Sequence, residues 1–225
     1  STKSDTFNLE VAPHLYIKSS YVDEMYTEIL ASPLASKSYK YSDLGYYFFK
    51  AIAEANFRKP LDELTFETLY APMGATTMGF NPLPYIKLDR IPPTEKDNYF
   101  RFETIQGTVH DQGAAMMGGI GGHAGLFTNA LDLAKLMQMY LNNGEYGGTR
   151  FLDSTVLAEF TRCQFCENDN SRGAGFDKPT GMNVGPTCNC VSMLSFGHTG
   201  FTGTIAWVDP EQDIVFIFLS NRTWP

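Results

Sequence analysis

The sequence predicts an α+β protein in which an antiparallel sheet follows a largely helical stretch. Three observations carry this. "LGYYFFKAIAEA" and "ALDLAKLMQMYL" repeat apolar residues at helical spacing. "GTIAWVD" and "DIVFIFLSNR" are rich in β-branched and aromatic residues, and the turn "DPEQ" joins them as a hairpin. Helices that precede such a hairpin indicate an antiparallel sheet with a separate helical part.

Residues 1–40 have mixed polarity, with one amphipathic helix expected around "YVDEMYTEILAS". The first strong helix starts after Tyr41-Ser42-Asp43, where Leu44, Tyr47, Phe48, Ala51, Ile52 and Ala55 share a face and Ser42 is a candidate cap. A second is expected in "PLDELTFETLYAPMG", with Pro60 near its start and Gly74 beyond its end. From about 75 to 110 the chain carries Pro82, Pro84, Pro92 and Pro93 and charged clusters, and reads as an extended connection. Asn129 and Asp153 are candidate caps for helices in "ALDLAKLMQMYLNNG" and "STVLAEFTR". The run "IVFIFL" is apolar throughout, which predicts a central strand covered on both faces. The expected organisation is one partial domain over 1–225, mainly helical over about 41–160, with the sheet hairpin over about 195–225.

Composition excludes some functions. The chain has 225 residues, 43% of them apolar, and can bury a sizeable core. A formal net charge of −8, with Lys and Arg scattered singly, argues against nucleic acid or an anionic membrane as a partner. "IVFIFL" at 214–219 is too short to span a bilayer. The opening "STKSDTFNLE" contains no apolar stretch of the signal-peptide kind.

Chemistry-bearing residues are few. Cys163, Cys166, Cys188 and Cys190 permit disulfides, free thiols or a zinc site, although the single residue between the second pair suits zinc poorly. No cofactor or metal is therefore expected. "GGIGGHAG" invites a phosphate-loop reading, but no strand precedes it and no Lys-Ser or Lys-Thr follows, so tight packing is favoured. His14, His110, His123 and His198 form no helical metal motif. His110 and Asp111 are adjacent on an extended segment and point apart, so His110 is expected to be structural. "FGHTGFTGT" has small residues at Gly200 and Gly203, which would let a ligand lie against a strand edge and accept from backbone N–H groups.

Tyr-Ser-Asp at 41–43, "GGHAGLFTNALDLAKLMQMYLNNG" at 121–144 and "GHTGFTGT" at 197–204 occur in that order. Together they resemble the serine β-lactamase and penicillin-binding-protein superfamily, in its class C and esterase-like branch. The likeness extends to the β-lactamase-like domain appended to family 3 glycoside hydrolases. The resemblance implies a β-lactamase/transpeptidase-like fold, an acyl-enzyme mechanism and a periplasmic or secreted location. Its partners would be a small acyl substrate or a peptidoglycan-type peptide. By motif, Tyr41 would be the general base or proton shuttle, with Asp43 in the catalytic group. His198, Thr199 and Gly200 would line the substrate, and the N–H of Phe201 would point into the oxyanion hole.

Three departures qualify what the resemblance implies. The family's nucleophile is a serine in Ser-x-x-Lys, yet no serine here has a lysine three places on; Ser36 meets Tyr39 and Ser38 meets Tyr41. Tyrosine, with a free pKa of about 10, needs a cationic neighbour to act as a base. The chain is thus expected to lack the early strands, the nucleophile helix and the last helix, and to be inactive alone. Asp43 replaces the family's asparagine and, when ionised, can only accept hydrogen bonds. His198 stands where β-lactamases of this branch carry lysine, which ranks ester or D-amino-acid peptide hydrolysis above β-lactam hydrolysis. The alternative is a non-catalytic binding module attached to a glycoside hydrolase. In either case missing elements would expose "IVFIFL" and the helix after Tyr41, and a homodimer could form through that surface.

Overall fold

The computed structural model describes residues 3–34, 38–168, 170–180 and 185–225. Ser36, the start of one near miss to Ser-x-x-Lys, lies outside the described residues. The chain forms two compact units, one of Ser1–Phe66, Gly79–Phe127 and Thr223–Pro225, the other of Glu67–Met78 and Thr128–Arg222.

The first unit opens with the antiparallel pair β1 (Leu9–Ala12) and β2 (Leu15–Ile17), which the sequence pattern did not announce. Helix α1 (Tyr21–Ala31) confirms the expected amphipathic helix. Helix α2 (Leu44–Phe57) follows the Tyr41 segment and stops where Arg58 turns left-handed, at φ +51°, two residues before Pro60. Ser42 is not the formal cap. Asp43 occupies that position without a side-chain bond, while the Ser42 hydroxyl accepts from the Leu44 N–H at 3.2 Å. Among the residues of α2 only Tyr47 is buried; Leu44, Phe49, Ile52 and Phe57 are exposed.

Pro60 starts α3 (Leu61–Thr65), which continues as a π-helical turn over Phe66–Tyr70 into the second unit. The proline-rich stretch is irregular, as expected, apart from a 3₁₀ turn at Leu88–Arg90 and the two-residue strand β3 (Glu95–Lys96), which pairs with β4 (Thr104–Ile105). A five-residue helix, α4 (Gln112–Met116), closes the unit's small core, in which Ala114 and Ala115 pack with Val11 and Val109.

The second unit is built around α5 (Ala130–Leu141). The Asn129 side chain accepts from the Asp132 N–H at 2.9 Å, satisfying one of the donors that a helix start leaves open. After the tight pair β5 (Glu145–Tyr146) and β6 (Thr149–Arg150), Asp153 caps α6 (Ser154–Thr161) by accepting from the N–H groups of Thr155 and Val156. Three antiparallel strands follow in the order β7 (Phe196–Gly200), β8 (Thr204–Asp209), β9 (Ile214–Leu219). Met137 and Leu141 of α5 pack on Phe196 and Val208, and each such fully buried apolar side chain contributes roughly 1.5–3 kcal/mol.

The predicted hairpin is β8–β9, and its turn has a clear cause. The buried Asp209 carboxylate accepts from the N–H groups of Glu211 and Gln212 and from Ser192. One expectation fails here. The central strand of the described sheet is β8, whereas "IVFIFL" forms the edge strand β9. Val215 and Ile217 pack toward the α5 core while Ile214, Phe216 and Phe218 are exposed, so a continuous apolar run did not mean two covered faces.

Candidate active site

Tyr41 lies in the irregular segment before α2, with more than half of its surface exposed. Asp43, half-buried, begins the helix two residues later. What anchors this helix is not either residue but Tyr47. The Tyr47 ring stacks on His123 with centroids 4.3 Å apart and planes 15° apart, and its carbonyl accepts from Tyr26 at 3.2 Å. Burial, reinforced by the negative charges of Asp111 and Asp43, pushes the Tyr47 hydroxyl up to about 12. It therefore stays protonated at neutral pH.

His123 in turn brings Nε2 to 2.8 Å from Asp111 Oδ1, an oxygen that also caps α4 by accepting from the Ala114 N–H at 2.7 Å. Burial acts to raise the Asp111 pKa. The bonds from His123 and Ala114 and the nearby histidines outweigh it and hold the carboxyl below its ordinary value. A carboxylate only accepts, so Nε2 of His123 carries the proton. Nδ1 of the same ring is buried with no hydrogen-bond partner among the described residues. Two glycines make this packing close. A side chain at Gly113 would run into the Tyr47 hydroxyl, and one at Gly122 into the Tyr46 carbonyl. The glycine loop therefore serves tight packing against α2, as its sequence setting suggested.

His110 and Asp111 do not form a dyad, since His110 Nε2 lies 3.0 Å from Glu95 Oε2. Beneath them, the wholly buried Arg101 pairs with Asp97 at 2.9 Å and donates to the carbonyls of Val109 and His110, both at 2.6 Å. Burial acts to raise the Asp97 pKa. The Phe100, Tyr99 and Arg101 N–H groups and the Arg101 guanidinium outweigh it and hold the carboxyl well below the carboxylate range.

In the second unit His198, Thr199 and Gly200 stand in β7 itself rather than just ahead of a strand, paired with Ala206, Ile205 and Thr204. Gly197 precedes them because a Cβ there would collide with the β8 backbone and the Trp207 ring. Gly203, at φ +100°, closes the β7–β8 turn with its N–H on the Gly200 carbonyl at 3.0 Å. Phe201 is at the tip of that turn and exposed; its ring lies 4.9 Å from the Arg222 guanidinium, which also donates to its carbonyl.

His198 Nδ1 is 2.7 Å from the Thr199 carbonyl and Nε2 is 3.2 Å from Arg172 Nη1. Arg172 also pairs with Asp177 at 2.8 Å. No local pattern marks these two residues as a site, because both sit in a polar loop stretch. Lys178 was missed as well. Burial lowers it to about 8, against a partial restoring effect of Asp209, and its amine donates to the Leu194 carbonyl at 2.9 Å. The cysteines are joined as Cys163–Cys166 and Cys188–Cys190. Among the described residues, no group of acidic, histidine or cysteine side chains is arranged to hold a metal ion.

Solved structures share this α+β fold, penicillin-binding proteins among them. A penicillin-binding protein homologue from Caulobacter crescentus superposes with a TM-score of 0.63 at 19% identity, covering 92% of this chain and 60% of that one. Simvastatin synthase from Aspergillus terreus gives 0.65 at 14% identity, covering 91% and 56%. A family profile described as Beta-lactamase matches residues 4–225, and the chain belongs to that family of serine hydrolases. A protein of Salmonella schwarzengrund (strain CVM19633) named "Putative D-alanyl-D-alanine carboxypeptidase" is 35% identical over 195 residues, 81% of this chain and 45% of its own length. The chain thus spans about half the length of the curated relatives it matches.

Proposed function

We propose that these 225 residues are the tyrosine-and-strand part of a serine acyl hydrolase. Its nucleophile, a serine in Ser-x-x-Lys, belongs to residues outside this chain. The observation that carries this reading is the family match over 4–225, which includes both the Tyr41 segment and the His198 strand. Tyr41 acts as general base or proton shuttle once the missing lysine lies beside it, with Asp43 as the acceptor that holds the lysine. His198, Thr199 and Gly200 line the acyl substrate, and the Phe201 N–H donates to the oxyanion.

Esters and D-amino-acid peptides rank ahead of β-lactams as substrates, and relatives named for D-alanyl-D-alanine support a cell-envelope location. The exposed apolar residues of α2 and β9 support the view that further chain, or a second copy, covers them. The 225 residues alone are catalytically silent.

The test has two arms. This chain should form no stable adduct with labelled penicillin; a stoichiometric adduct would overturn the external nucleophile. The longer protein should cleave a short-chain p-nitrophenyl ester and lose that activity at least ~100-fold on Tyr41→Phe, in line with the general-base contribution. Full activity in Tyr41→Phe removes the role of Tyr41. A longer sequence without Ser-x-x-Lys would instead favour the binding module attached to a glycoside hydrolase.

A further inference from the structure

The two ring nitrogens of His198 have partners of fixed character. A backbone carbonyl only accepts, so the 2.7 Å contact with Thr199 requires the proton on Nδ1. A guanidinium only donates, so the 3.2 Å contact with Arg172 Nη1 requires a lone pair on Nε2. Both conditions hold together only in the neutral Nδ1–H tautomer.

Arg172 is itself held. Its backbone pairs with Asp177, whose N–H and carbonyl in turn bond Gly197 at 2.7 and 3.2 Å, the residue before His198. The Asp177 carboxylate, largely buried, meets Arg172 Nη1 at 2.8 Å. Segment and side chains thus join on the edge of β7 beside the imidazole.

The geometry points to Arg172, fixed by Asp177, as a positioning residue that holds His198 in its neutral Nδ1–H tautomer. The cation at this strand is then the guanidinium and not the imidazole. It does not replace the permanent charge that a lysine at position 198 would supply, because it is set back from the strand and paired with Asp177. A site so arranged suits acyl substrates whose end at this strand is uncharged, such as simple esters. That consequence rests on the hydrolase reading above; the tautomer does not.

The test is the imidazole ¹⁵N–¹H long-range spectrum of uniformly labelled protein at pH 7.5, with His198 assigned by its disappearance in His198→Gln. The wild type should show the Nδ1–H pattern for His198. Arg172→Met, which removes the donor at similar length, leaves only the Thr199 carbonyl to hold the proton on Nδ1, so a measurable share of that pattern should pass to the Nε2–H form, and Arg172→Lys should restore most of it. The signals of His14, His110 and His123 report whether the variant remains folded. A wild-type His198 in the Nε2–H form overturns the proposal, as does an unchanged pattern in folded Arg172→Met. Should Arg172→Met fail to fold, Asp177→Asn takes its place: releasing Arg172 should shift the same pattern, and no shift overturns the proposal. If the longer protein hydrolyses no ester while these spectra behave as described, the hydrolase reading falls and the positioning role stands.

Discussion

His123 and His198 are each tied to a charged side chain through Nε2, with opposite consequences. In the first unit the partner is the Asp111 carboxylate at 2.8 Å, which makes Nε2 a donor; in the second it is the Arg172 guanidinium at 3.2 Å, which makes Nε2 an acceptor. The cover is distributed differently as well. The His123 side chain is 3% exposed beside a carboxylate that is 39% exposed, whereas Arg172, 28% exposed, meets a carboxylate that is 12% exposed. Breaking either contact leaves a covered polar group without its partner, the His123 ring in the first unit and the Asp177 carboxylate in the second. Each histidine is therefore set by a pair that also helps hold its own unit together.

Arg101, under the His110–Asp111 segment, should be the most sensitive position of the first unit. Arg101→Met would strand the Asp97 carboxylate and two carbonyls, costing about 3–5 kcal/mol in urea unfolding. A loss below about 1 kcal/mol would mean that water reaches Asp97. Next, Asp111→Ala removes both the α4 cap and the only hydrogen bond of the His123 ring among the described residues, at about 2–3 kcal/mol. Arg172→Met leaves the largely buried Asp177 carboxylate without its cation and should cost about 1–3 kcal/mol. A loss below about 0.5 kcal/mol from either would show that water replaces the missing partner.

A smaller effect lies in acid. The folded pKa of Asp111 is below its unfolded value of about 3.9, so the stability it contributes is complete above that pH and is lost as pH falls through the folded pKa. Asp97 acts with the same sign in this unit, and Asp132 and Asp209 do so in the other. The informative contrast is thus between wild type and Asp111→Asn. Unfolding midpoints measured from pH 5 to 2.5 should fall less steeply for the variant, and parallel curves would show that Asp111 is not held below its ordinary value.

Much of the local structure could be read directly. Asn129 and Asp153 cap the helices they precede, and the "DPEQ" turn joins β8 to β9, because each depends on residues only a few places apart. The reading of "IVFIFL" as a central strand failed for the opposite reason. An apolar run shows that a strand suits burial, but whether anything covers it depends on distant parts of the chain. The same holds for α2, whose helical spacing was correct while Leu44, Phe49 and Ile52 remained exposed.

The residues alone were enough for the longer helices, the caps at Asn129 and Asp153, the β8–β9 hairpin, the family and the order of its motifs, since these reside in short-range spacing and residue chemistry. Which side chain each histidine meets came from long-range packing. Asp111 and His123 are 12 residues apart, and Arg172 and His198 are 26 apart. No local pattern links such partners. A proton goes to whichever ring nitrogen faces an acceptor, so the chemistry of both imidazoles was set by packing.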